Sequence, residues 1–507
     1  MQAVVAQPSL AQALRAFAGL KLWKLETSYG DPAIIVEANG SLVLKGTDLA
    51  LFLAYQVETL GAHAPGQDSV AVSYALLKNL VGRLPPKIPT TLQVTDRQLI
   101  VQAGDVEIAL PGKPAADLVS FPDLTGGDSE CFQVDPAVFR QAILEVVFAA
   151  SSEELRPAMT AVLARLQGGT LTLVAADGFR LAKRTILVQA GTDEAADFLI
   201  PAAALKKLAG LLAKASAPVR VFLHRAEQPA QQERSVYNPV TQEYEPAAPF
   251  VYNAGYDRVS FQSGPLTLVA NLVEARYPDY EAIIPTRYCT RLVVPRAELL
   301  ARLQLLAPLI KEHANIMVLD WTHERLAVRD SAGSKSFPVP LREQQSTLNG
   351  VFLAHSGERE DGLRYEPSSE LLATAAEVTV TMPWPAVTEL VQGLARRGQE
   401  LSAVECRAIM DLLVAVGVVD TPGVSGYPLR ITDPEQARTR VAQWLRERHT
   451  CAFNVRYVLD LVAAMDTDAV AIDLQDNTRP GVFWPWSEEA RLRRSDDALY
   501  VVMPMQV

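Results

Sequence analysis

The sequence has little cysteine, and its cysteines are scattered. Four occur in 507 residues and stand far apart, at Cys131, Cys289, Cys406 and Cys451. A disulfide framework or a zinc site needs closer clustering, so we interpret all four as reduced, mostly buried thiols. The six histidines never pair at metal-ligand spacing. We therefore expect neither a metal ion nor another cofactor.

Long apolar runs and targeting segments are also missing. The longest apolar runs, such as residues 412–419, fall well short of the roughly 20 residues that span a bilayer. Residues 1–20 lack the basic start and continuous apolar stretch of a signal peptide. These patterns favour a cytoplasmic protein with no membrane association.

Catalytic motifs are absent as well. The sequence contains no Gly-rich phosphate loop and no Gly-x-Ser-x-Gly elbow. This favours a protein that is not an enzyme, with no catalytic residue to name, although a dispersed active site would leave no motif. One alternative is an enzyme whose active site lies within residues 342–448, where carboxylates are plentiful but no site can be recognised.

Positive charge is in short supply overall. The chain has a net charge of −11 and a pI near 5.2, whereas a protein that grips DNA over its whole surface is basic. An acidic chain can still bind DNA if its positive charge is confined to one surface. Hydrophobic residues make up 49% of the chain, which is enough for about three packed domains at this length.

One pattern of helices and strands occurs three times. Apolar residues at helical spacing predict amphipathic helices at residues 9–19, 135–151 and 295–313. A β-hairpin pattern follows each helix: residues 33–37 with 41–45, 161–166 with 170–175, and 316–320 with 325–328. The predicted turns are Asn39-Gly40, Gly168-Gly169 and His323-Glu324.

A second helix and a further strand complete each repeat. The helices are predicted at residues 73–84, 201–215 and 454–465, and the strands at 91–94, 219–224 and 469–474. Period-two alternation in the strands indicates sheets with one face against helices. We therefore predict an α+β fold of three tandem domains, at about residues 1–127, 128–286 and 287–507.

Two of the repeats are enlarged by insertions. A polar segment rich in Gln, Pro, Tyr and Asn occupies residues 227–256, and a longer insertion occupies residues 342–448. Helices are predicted in the longer insertion at 384–397, 402–418 and 433–447, the last opening with an Asp433-Pro434 cap. This insertion is long enough to form a small subdomain.

Basic side chains recur at the non-core positions of the predicted helices. Ordinary solvated helix surface would explain any one of them. They recur in all three repeats of an acidic chain, and if the helices line one surface, their charges would form a positive track that contacts DNA phosphates without sequence preference. The candidate DNA-facing residues are Arg15, Lys78, Arg83, Arg140, Lys206, Lys207, Lys214, Arg302, Lys311 and Arg456.

Four stretches carry a resemblance to a known family. They are residues 155–183, with LTLVAADGFRLA inside them, residues 271–285 (NLVEARYPDYEAIIP), residues 453–460 (FNVRYVLD) and residues 500–507 (YVVMPMQV). In this order they resemble the bacterial DNA polymerase III beta subunits, or beta sliding clamps. The resemblance covers most of the chain and leaves out the two insertions.

The resemblance implies three DNA-clamp domains per subunit, with helices on one face and antiparallel sheets on the other. Two subunits would close head to tail into a homodimeric ring. The implied function is that of a non-catalytic processivity factor, which encircles duplex DNA and tethers the replicative polymerase. The implied partners are double-stranded DNA, and polymerase and clamp-loader subunits that bind through short linear motifs.

The resemblance also implies a partner-peptide groove between the second and third domains. Methionine, proline and branched aliphatic residues suit an adaptable apolar pocket, although residues 501–505 could equally be a last core strand. The matching positions are Met159, Ala176, Gly178, Phe179, Arg180, Leu181, Pro278, Ile283, Pro480, Val501, Val502, Met503, Pro504 and Met505.

The resemblance implies that ring closure brings an edge strand of domain one against domain three of the other subunit, which would also protect an apolar edge from aggregation. The positions implied by the resemblance are Ile108 and Leu110 against Leu309 and Ile310. The chain departs from the family at Ala176, Phe179 and Ala282, which make the groove more apolar. The insertion at 342–448 leaves a second hypothesis open, that of a clamp-fold monomer acting as an adaptor or regulator without encircling DNA.

Overall fold

The computed structural model describes residues 2–506 except at a set of internal positions. These positions are 25–31, 40, 62–66, 96, 116–120, 123–128, 192–194, 226–234, 239–242, 247–255, 313, 323–324, 347–351, 354–368, 383–385, 402, 417, 421–428, 446–448, 476, 489–493 and 495–496. The chain divides into two compact units. Unit 1 comprises residues Met1–Ala175 and Arg184–Pro278, and unit 2 comprises Ala176–Lys183 and Asp279–Val507.

Unit 1 contains two pairs of helices and most of the strands of the first two predicted repeats. Its helices are α1 (Gln7–Ala16), α2 (Tyr74–Val81), α3 (Pro136–Val146) and α4 (Ala202–Leu212). Its first strands are β1 (Gln2–Val5), β2 (Ala33–Asn39), β3 (Leu42–Thr47), β4 (Leu51–Val57), β5 (Gln67–Ser73), β6 (Thr90–Val94), β7 (Gln98–Ala103), β8 (Val106–Pro114), β9 (Ser129–Val134), β10 (Ala161–Gln167) and β11 (Thr170–Ala176). After β12 (Arg180–Leu187), which begins in unit 2, come β13 (Gln189–Ala190), β14 (Ala196–Pro201), β15 (Val219–Arg225), β16 (Ser235–Asn238), β17 (Glu243–Pro246), β18 (Tyr256–Ser263) and β19 (Leu266–Asn271).

Thirteen strands of unit 1 form one sheet, in the order β1-β6-β7-β8-β5-β2-β3-β4-β19-β18-β15-β9-β13. The antiparallel pairing of β4 with β19 joins strands of the first two predicted repeats edge to edge. Strand β8 pairs with β7 over residues 106–111, but with β5 only from Gly112 onward. The first half of β8 is therefore an edge of the sheet in the part of the chain described.

The helices of unit 1 pack in pairs, α1 with α2 and α3 with α4. Ser73 caps α2 by accepting a hydrogen bond from the Leu76 amide, and Asp135 caps α3 by accepting from the amides of Ala137 and Val138. Leu10 and Leu14 of α1 are buried, as their helical spacing predicts.

Unit 2 contains the elements of the third predicted repeat and of the longer insertion. Its helices are α5 (Arg296–Leu309), α6 (Ser369–Val380), α7 (Val387–Ala395), α8 (Ala403–Val416), α9 (Pro434–Leu445) and α10 (Val455–Ala464). Its strands are β20 (Arg287–Tyr288), β21 (Thr290–Pro295), β22 (Ile316–Trp321), β23 (Leu326–Asp330), β24 (Ser336–Val339), β25 (Glu343–Ser346), β26 (Phe352–Leu353), β27 (His449–Asn454), β28 (Ala469–Leu474), β29 (Gly481–Trp486) and β30 (Ala498–Val502).

The strands of unit 2 form two principal sheets, ordered β30-β29-β28-β21-β25 and β24-β23-β22-β27. Helix α5 packs against α10, which repeats the helix pairing of unit 1. Strand β25 lies inside the predicted insertion yet pairs with β21. The start of the predicted insertion is therefore part of the sheet.

The six predicted helices outside the insertion are confirmed, with shifted ends. The helix predicted at 295–313 ends at Leu309, and Ala314 and Asn315 then take positive φ values of 54° and 57°, which an α-helix cannot continue through. The hairpin strands are confirmed by β2–β3, β10–β11 and β22–β23 pairing. The predicted turn residues Gly40, His323 and Glu324 lie outside the described residues.

The longer insertion contains a four-helix bundle, α6 to α9, with its own apolar core. The three predicted helices are confirmed as α7, α8 and α9, whereas α6 was not predicted. Leu390, Ile409 and Leu413 are fully buried in this core. A Cβ atom at Gly393 would lie 2.4 Å from Val378 Cγ1, so glycine is what allows α7 to approach α6 this closely. In the shorter insertion, β16 and β17 pair antiparallel and Tyr256 begins β18; its other residues lie outside the described part of the chain.

Candidate functional site

A sharp turn in unit 2 presents one of the predicted groove residues. Asp177 Oδ1 accepts hydrogen bonds from the backbone amides of Phe179 and Arg180, at 2.9 and 3.0 Å. Gly178 has a φ of 92°, a conformation that glycine adopts without strain. The turn leaves the Phe179 side chain 61% exposed, so the largest apolar residue of this loop faces solvent.

The C-terminal residues run beside this turn. The Met503 amide donates to the Phe179 carbonyl at 2.9 Å, and the Met505 amide donates to the Ala452 carbonyl at 2.8 Å. Met503 is 41% exposed. Phe179 and Met503 therefore form an apolar surface whose backbone is fixed on both sides by hydrogen bonds.

An arginine organises the other side of the Phe179 ring. Arg180 pairs with Asp177 through Nε at 3.0 Å and with Asp460 through Nη1 at 2.7 Å. Its guanidinium lies 4.6 Å from the centroid of the Tyr457 ring, and the Phe179 ring stacks on Tyr457 at 6.4 Å. Burial raises the pKa of Tyr457, and the Asp177 carboxylate adds to the effect. Tyr457, Asp177 and Asp460 were missed from sequence, although the last part of the FNVRYVLD motif contains two of them.

The remaining predicted groove residues differ in exposure. Ile283 of unit 2 is 49% exposed, and Pro480, Pro504 and Met505 are half-buried. Four others are buried in unit 2 and could support such a surface only by packing against its exposed residues from the interior. These four are Ala176, Leu181, Val501 and Val502. Met159 and Pro278 belong to unit 1, where Met159 is half-buried and Pro278 exposed.

Seven of the ten predicted DNA-facing residues are exposed, on or just beyond the paired helices. They are Arg15, Lys78, Arg83, Lys206, Lys214, Lys311 and Arg456. Every helix pair thus carries at least one exposed cation. A surface of this kind suits phosphate contacts, which need charge but no base recognition.

The other three predicted cations are half-buried, and two of them have structural partners. Lys207 Nζ donates to the Ala18 carbonyl at 2.6 Å, just beyond the C-terminal end of α1, and burial lowers the pKa of Lys207. Arg302 donates to the Pro338 carbonyl at 3.1 Å and pairs with Glu298 at 3.0 Å. Arg140 is half-buried on α3.

The residues predicted for ring closure are likewise split between surface and core. Ile108 and Leu309 are 37% and 45% exposed, whereas Leu110 is buried in unit 1 and Ile310 in unit 2. Val106 and Leu305 are also exposed, at 43% and 51%. Sequence reasoning missed these two, although each lies at strand or helix spacing from a predicted residue.

We examined the described part of the chain for groups of metal ligands and for membrane-spanning helices. No group of three or more His, Cys, Asp or Glu side chains there could hold a metal ion. No helix among the described residues is long and apolar enough to cross a membrane. Burial raises the pKa of Cys131 to about 12, which makes this thiol unreactive at neutral pH.

The fold matches solved structures over the whole chain. It is similar to the Pseudomonas aeruginosa DNA polymerase sliding clamp crystallised with a ligand, with a TM-score of 0.65, 19% identity and full coverage of both chains. It is similar to the Bacillus subtilis sliding clamp, with a TM-score of 0.65 and 14% identity, over 100% of this chain and 99% of that one. The fold is therefore that of the DNA clamps.

The sequence comparisons find similarity to one family. Residues 133–279 match the model of the DNA polymerase III beta subunit, central domain. The beta sliding clamp of P. aeruginosa is 25% identical over 253 residues, which span 50% of this chain and 59% of that relative. The beta sliding clamp of Synechococcus elongatus is 27% identical over 59% of this chain and 72% of its own length. Residues 133–279 are thus similar to the central domain of the DNA polymerase III beta subunits, and the chain is similar to beta sliding clamps over about half of its length.

Proposed function

We propose that this protein is a DNA sliding clamp, a non-catalytic processivity factor that works in the cytoplasm and needs no cofactor. The observation that carries the proposal is the recurrence of paired helices with exposed cations, α1 with α2, α3 with α4 and α5 with α10, in an otherwise acidic chain. Localised positive charge attracts the duplex while the acidic remainder repels it. The match of residues 133–279 to the central domain of the DNA polymerase III beta subunit supports the same function.

The proposed mechanism is topological. Two copies would close head to tail around duplex DNA, with their three clamp domains each presenting helices to the phosphates. Such a ring needs only weak, sequence-independent contacts, because escape requires opening an interface rather than breaking every contact. The ring could then slide while it tethers a polymerase.

The proposed tether is the apolar surface of Phe179 and Met503, together with the other exposed or half-buried groove residues of unit 2, Ile283, Pro480, Pro504 and Met505. A short linear motif of a polymerase or clamp-loader subunit would insert apolar side chains there. Each buried Leu or Phe would contribute about 1.5–3 kcal/mol to binding, before the entropy lost in ordering the peptide is subtracted. The resulting affinity would be low enough for partners to exchange.

The ring proposal is tested by solution mass and by retention on DNA. We expect light scattering to give a mass near twice 55.2 kDa, and negative-stain images of the same sample to show open-centred rings. Closed rings should stay on circular duplex DNA at high salt but slide off linear DNA. A monomer with no ring, or equal retention on both DNAs, would contradict the proposal.

The DNA-facing helices are tested by charge reversal at Lys206 and Lys214, with Lys207 spared because it caps α1. We expect weaker DNA binding, with the dependence of log affinity on log salt reduced by about 2. Reversal of Arg220 and Lys113, which lie on strands of the large sheet, is the matched control. Equal losses in both variants would show that α4 does not face the duplex.

The groove is tested with a fluorescent polymerase-tail peptide that carries a Leu and a Phe. Phe179→Ala and Met503→Ala should each weaken peptide binding about tenfold, since each removes apolar contact area. The exposed Gln506, changed to Ala, serves as a control in the same C-terminal segment. Unchanged affinity in both variants, with the oligomer intact, would refute the groove assignment.

A further inference from the structure

A small pocket, here called the Trp23 pocket, opens on the sheet of unit 1 beside the start of β2 and the end of β3. It contains about 240 Å³ of empty space, its open mouth included. Two aromatic rings and two aliphatic side chains stand there beside a single ammonium group. An apolar lining with few polar groups, which fix the orientation of the guest, is typical of a ligand site. The lining residues include Trp23, Ala33, Ile35, Lys45, Thr47 and Phe121.

One face of the sheet forms the floor of the Trp23 pocket. Ile35 of β2 lies opposite Lys45 of β3, and Ala33 is two residues from Ile35, so the three side chains share a face. Ala33, Ile35 and Ala71 of β5 form a small buried apolar cluster, against which Phe121 packs. The floor is therefore held in place by the regular pairing of β2 with β3 and β5.

Two aromatic rings form the walls of the pocket. The Phe121 ring meets that of Phe52 edge to face, with 5.5 Å between the centroids, and Lys45 Nζ lies 5.9 Å from the Phe121 centroid. The backbone of Trp23 is hydrogen-bonded to β2 and to β3, at 2.8 and 2.7 Å. Its side chain is nevertheless 42% exposed. A large ring is thus presented to solvent from an anchored backbone, which reduces the entropy that binding would cost.

The lysines of this region give the pocket a charge opposite to that of the chain. Lys21 and Lys24 flank Trp23 in the sequence, and both are exposed. Lys45 Nζ pairs with Glu37 at 2.6 Å, and an ammonium group has three donors, so it can hold a second carboxylate as well. A short anionic ligand would find cations here. A long polyanion such as DNA would also meet the acidic surface of a chain with a net charge of −11.

The turn next to the pocket resembles the turn that presents Phe179 in unit 2. Asp48 accepts hydrogen bonds from the amides of the second and third residues after it, at 3.1 and 2.8 Å, as Asp177 does. Ala50 stands where the turn of unit 2 has Phe179, and its carbonyl accepts from the amide of the polar residue Asn271 at 3.2 Å. The turn of unit 1 therefore offers no aromatic ring of its own, and a ligand there would have to use the Trp23 pocket.

We propose that the Trp23 pocket is a second partner site, which takes one aromatic side chain of a short acidic peptide between Trp23 and Phe121. Carboxylates beside that side chain pair with Lys45 and with the exposed Lys21 and Lys24. An aromatic guest suits the pocket, since edge or offset contacts with two rings add to the burial of apolar area. The site is separate from the surface of Phe179 and Met503, and it does not require ring closure.

The site is tested on the full-length chain with the peptide Gly-Asp-Phe-Glu-Gly, its Phe ring fluorinated and its binding followed by fluorine NMR. We expect saturable binding with a Kd of about 0.1–1 mM. Trp23→Ala should weaken binding at least about fivefold, because it removes one wall of the pocket. The matched control is Leu60→Ala, which removes a side chain that is 52% exposed elsewhere in unit 1. No saturable binding to wild type, or an equal loss in both variants, would overturn the proposal.

A second variant tests the charge preference without touching the walls. Lys24 is exposed, so Lys24→Glu should leave the thermal melt unchanged. It should weaken peptide binding about threefold at low salt and have little effect at high salt. The control is Lys87→Glu, an exposed lysine elsewhere in unit 1, which should change the affinity less. Equal affinity in wild type and Lys24→Glu would contradict an acidic ligand.

Two further measurements separate this site from the other surfaces. Phe179→Ala should bind the acidic peptide as wild type does, and a loss of binding there would mean that the peptide occupies the surface of Phe179 and Met503 instead. A short oligothymidylate should not displace the peptide. Displacement that depends on Trp23 would assign the pocket to nucleic acid. Either result would overturn the proposal, whereas failure of the polymerase-tail peptide to bind would affect only the proposed tether.

Discussion

The sheet β30-β29-β28-β21-β25 and the helices α6 to α9 lie in the same unit. They differ in how far apart in the sequence their contacting residues are. In the sheet, Arg291 of β21 pairs with Asp473 of β28, 182 residues later, at 2.6 Å. Both side chains are 2% exposed. The guanidinium lies 4.2 Å from the Tyr288 ring centroid and 4.8 Å from that of Trp484.

The bundle draws its core from a single stretch of about one seventh of the chain, from Leu372 to Val441. Its ion pairs lie at the surface, where Glu377 accepts hydrogen bonds from Arg397 and Arg438 at 3.0 and 2.7 Å. The sheet therefore requires contacts between residues before the insertion and residues after it. The core of the bundle is formed by residues of the insertion alone. We expect the two regions to unfold in separate steps.

The largest expected effect comes from Asp473→Asn, which leaves the buried Arg291 charge without its partner. Burial alone lowers the pKa of Arg291, but the hydrogen bond and charge of Asp473 outweigh it and raise the pKa. Loss of the carboxylate should cost about 3–5 kcal/mol of the sheet's stability. Urea unfolding followed by tryptophan fluorescence measures this cost. Asp468→Asn, at an exposed position nearby, should change little. An equal loss of stability in Asp468→Asn would contradict a specific contribution of the buried Arg291–Asp473 pair.

A smaller effect, confined to the bundle, is expected for Leu390→Ala. Leu390 is fully buried, and truncation of a buried leucine costs about 2–5 kcal/mol. Hydrogen exchange should accelerate in α6 to α9 and stay unchanged in β28 and β29. Gln392→Ala on the exposed side of α7 is the control. Acceleration in both regions would show that they unfold together.

The smallest effect is expected for Glu377→Gln, because its partners are largely exposed. Hydrogen bonds from Arg438 and then Arg397 lower the pKa of Glu377. The stability from these pairs is therefore present above the ordinary glutamate pKa and is lost as the pH falls through the lowered value.

The wild-type bundle should lose up to about 1 kcal/mol on acidification, and the variant should lack this component. Thermal melts against pH, with Glu389→Gln as control, measure it. Identical pH profiles for wild type and Glu377→Gln would show that the pairs contribute nothing.

The helices outside the insertion could be predicted because their apolar residues recur with clear helical spacing, and Ser73, Asp135 and Asn454 supply caps. Helix α6 was missed because its last three residues, Val378 to Val380, are all β-branched. Tertiary packing overrides that preference, and the Thr379 hydroxyl donates back to the Ala375 carbonyl.

The candidate sites were only partly predictable. The spacing along α5 did not reveal that Leu309 is exposed while Ile310 is buried, because apolar residues surround this helix. Nor could it show that Arg302 reaches the Pro338 carbonyl, 36 residues away. Such contacts depend on how elements pack, which local periodicity does not encode.

The pairing of β4 with β19 has a mechanical consequence. Five consecutive residue pairs, from Leu266 with Tyr55 to Ala270 with Leu51, join the strands of two repeats into one backbone network. Bending at that boundary would break several backbone hydrogen bonds at once, each costly to leave unmade. Unit 1 should therefore move as a single stiff body, and in a ring of such chains the deformation that admits DNA would have to occur outside it.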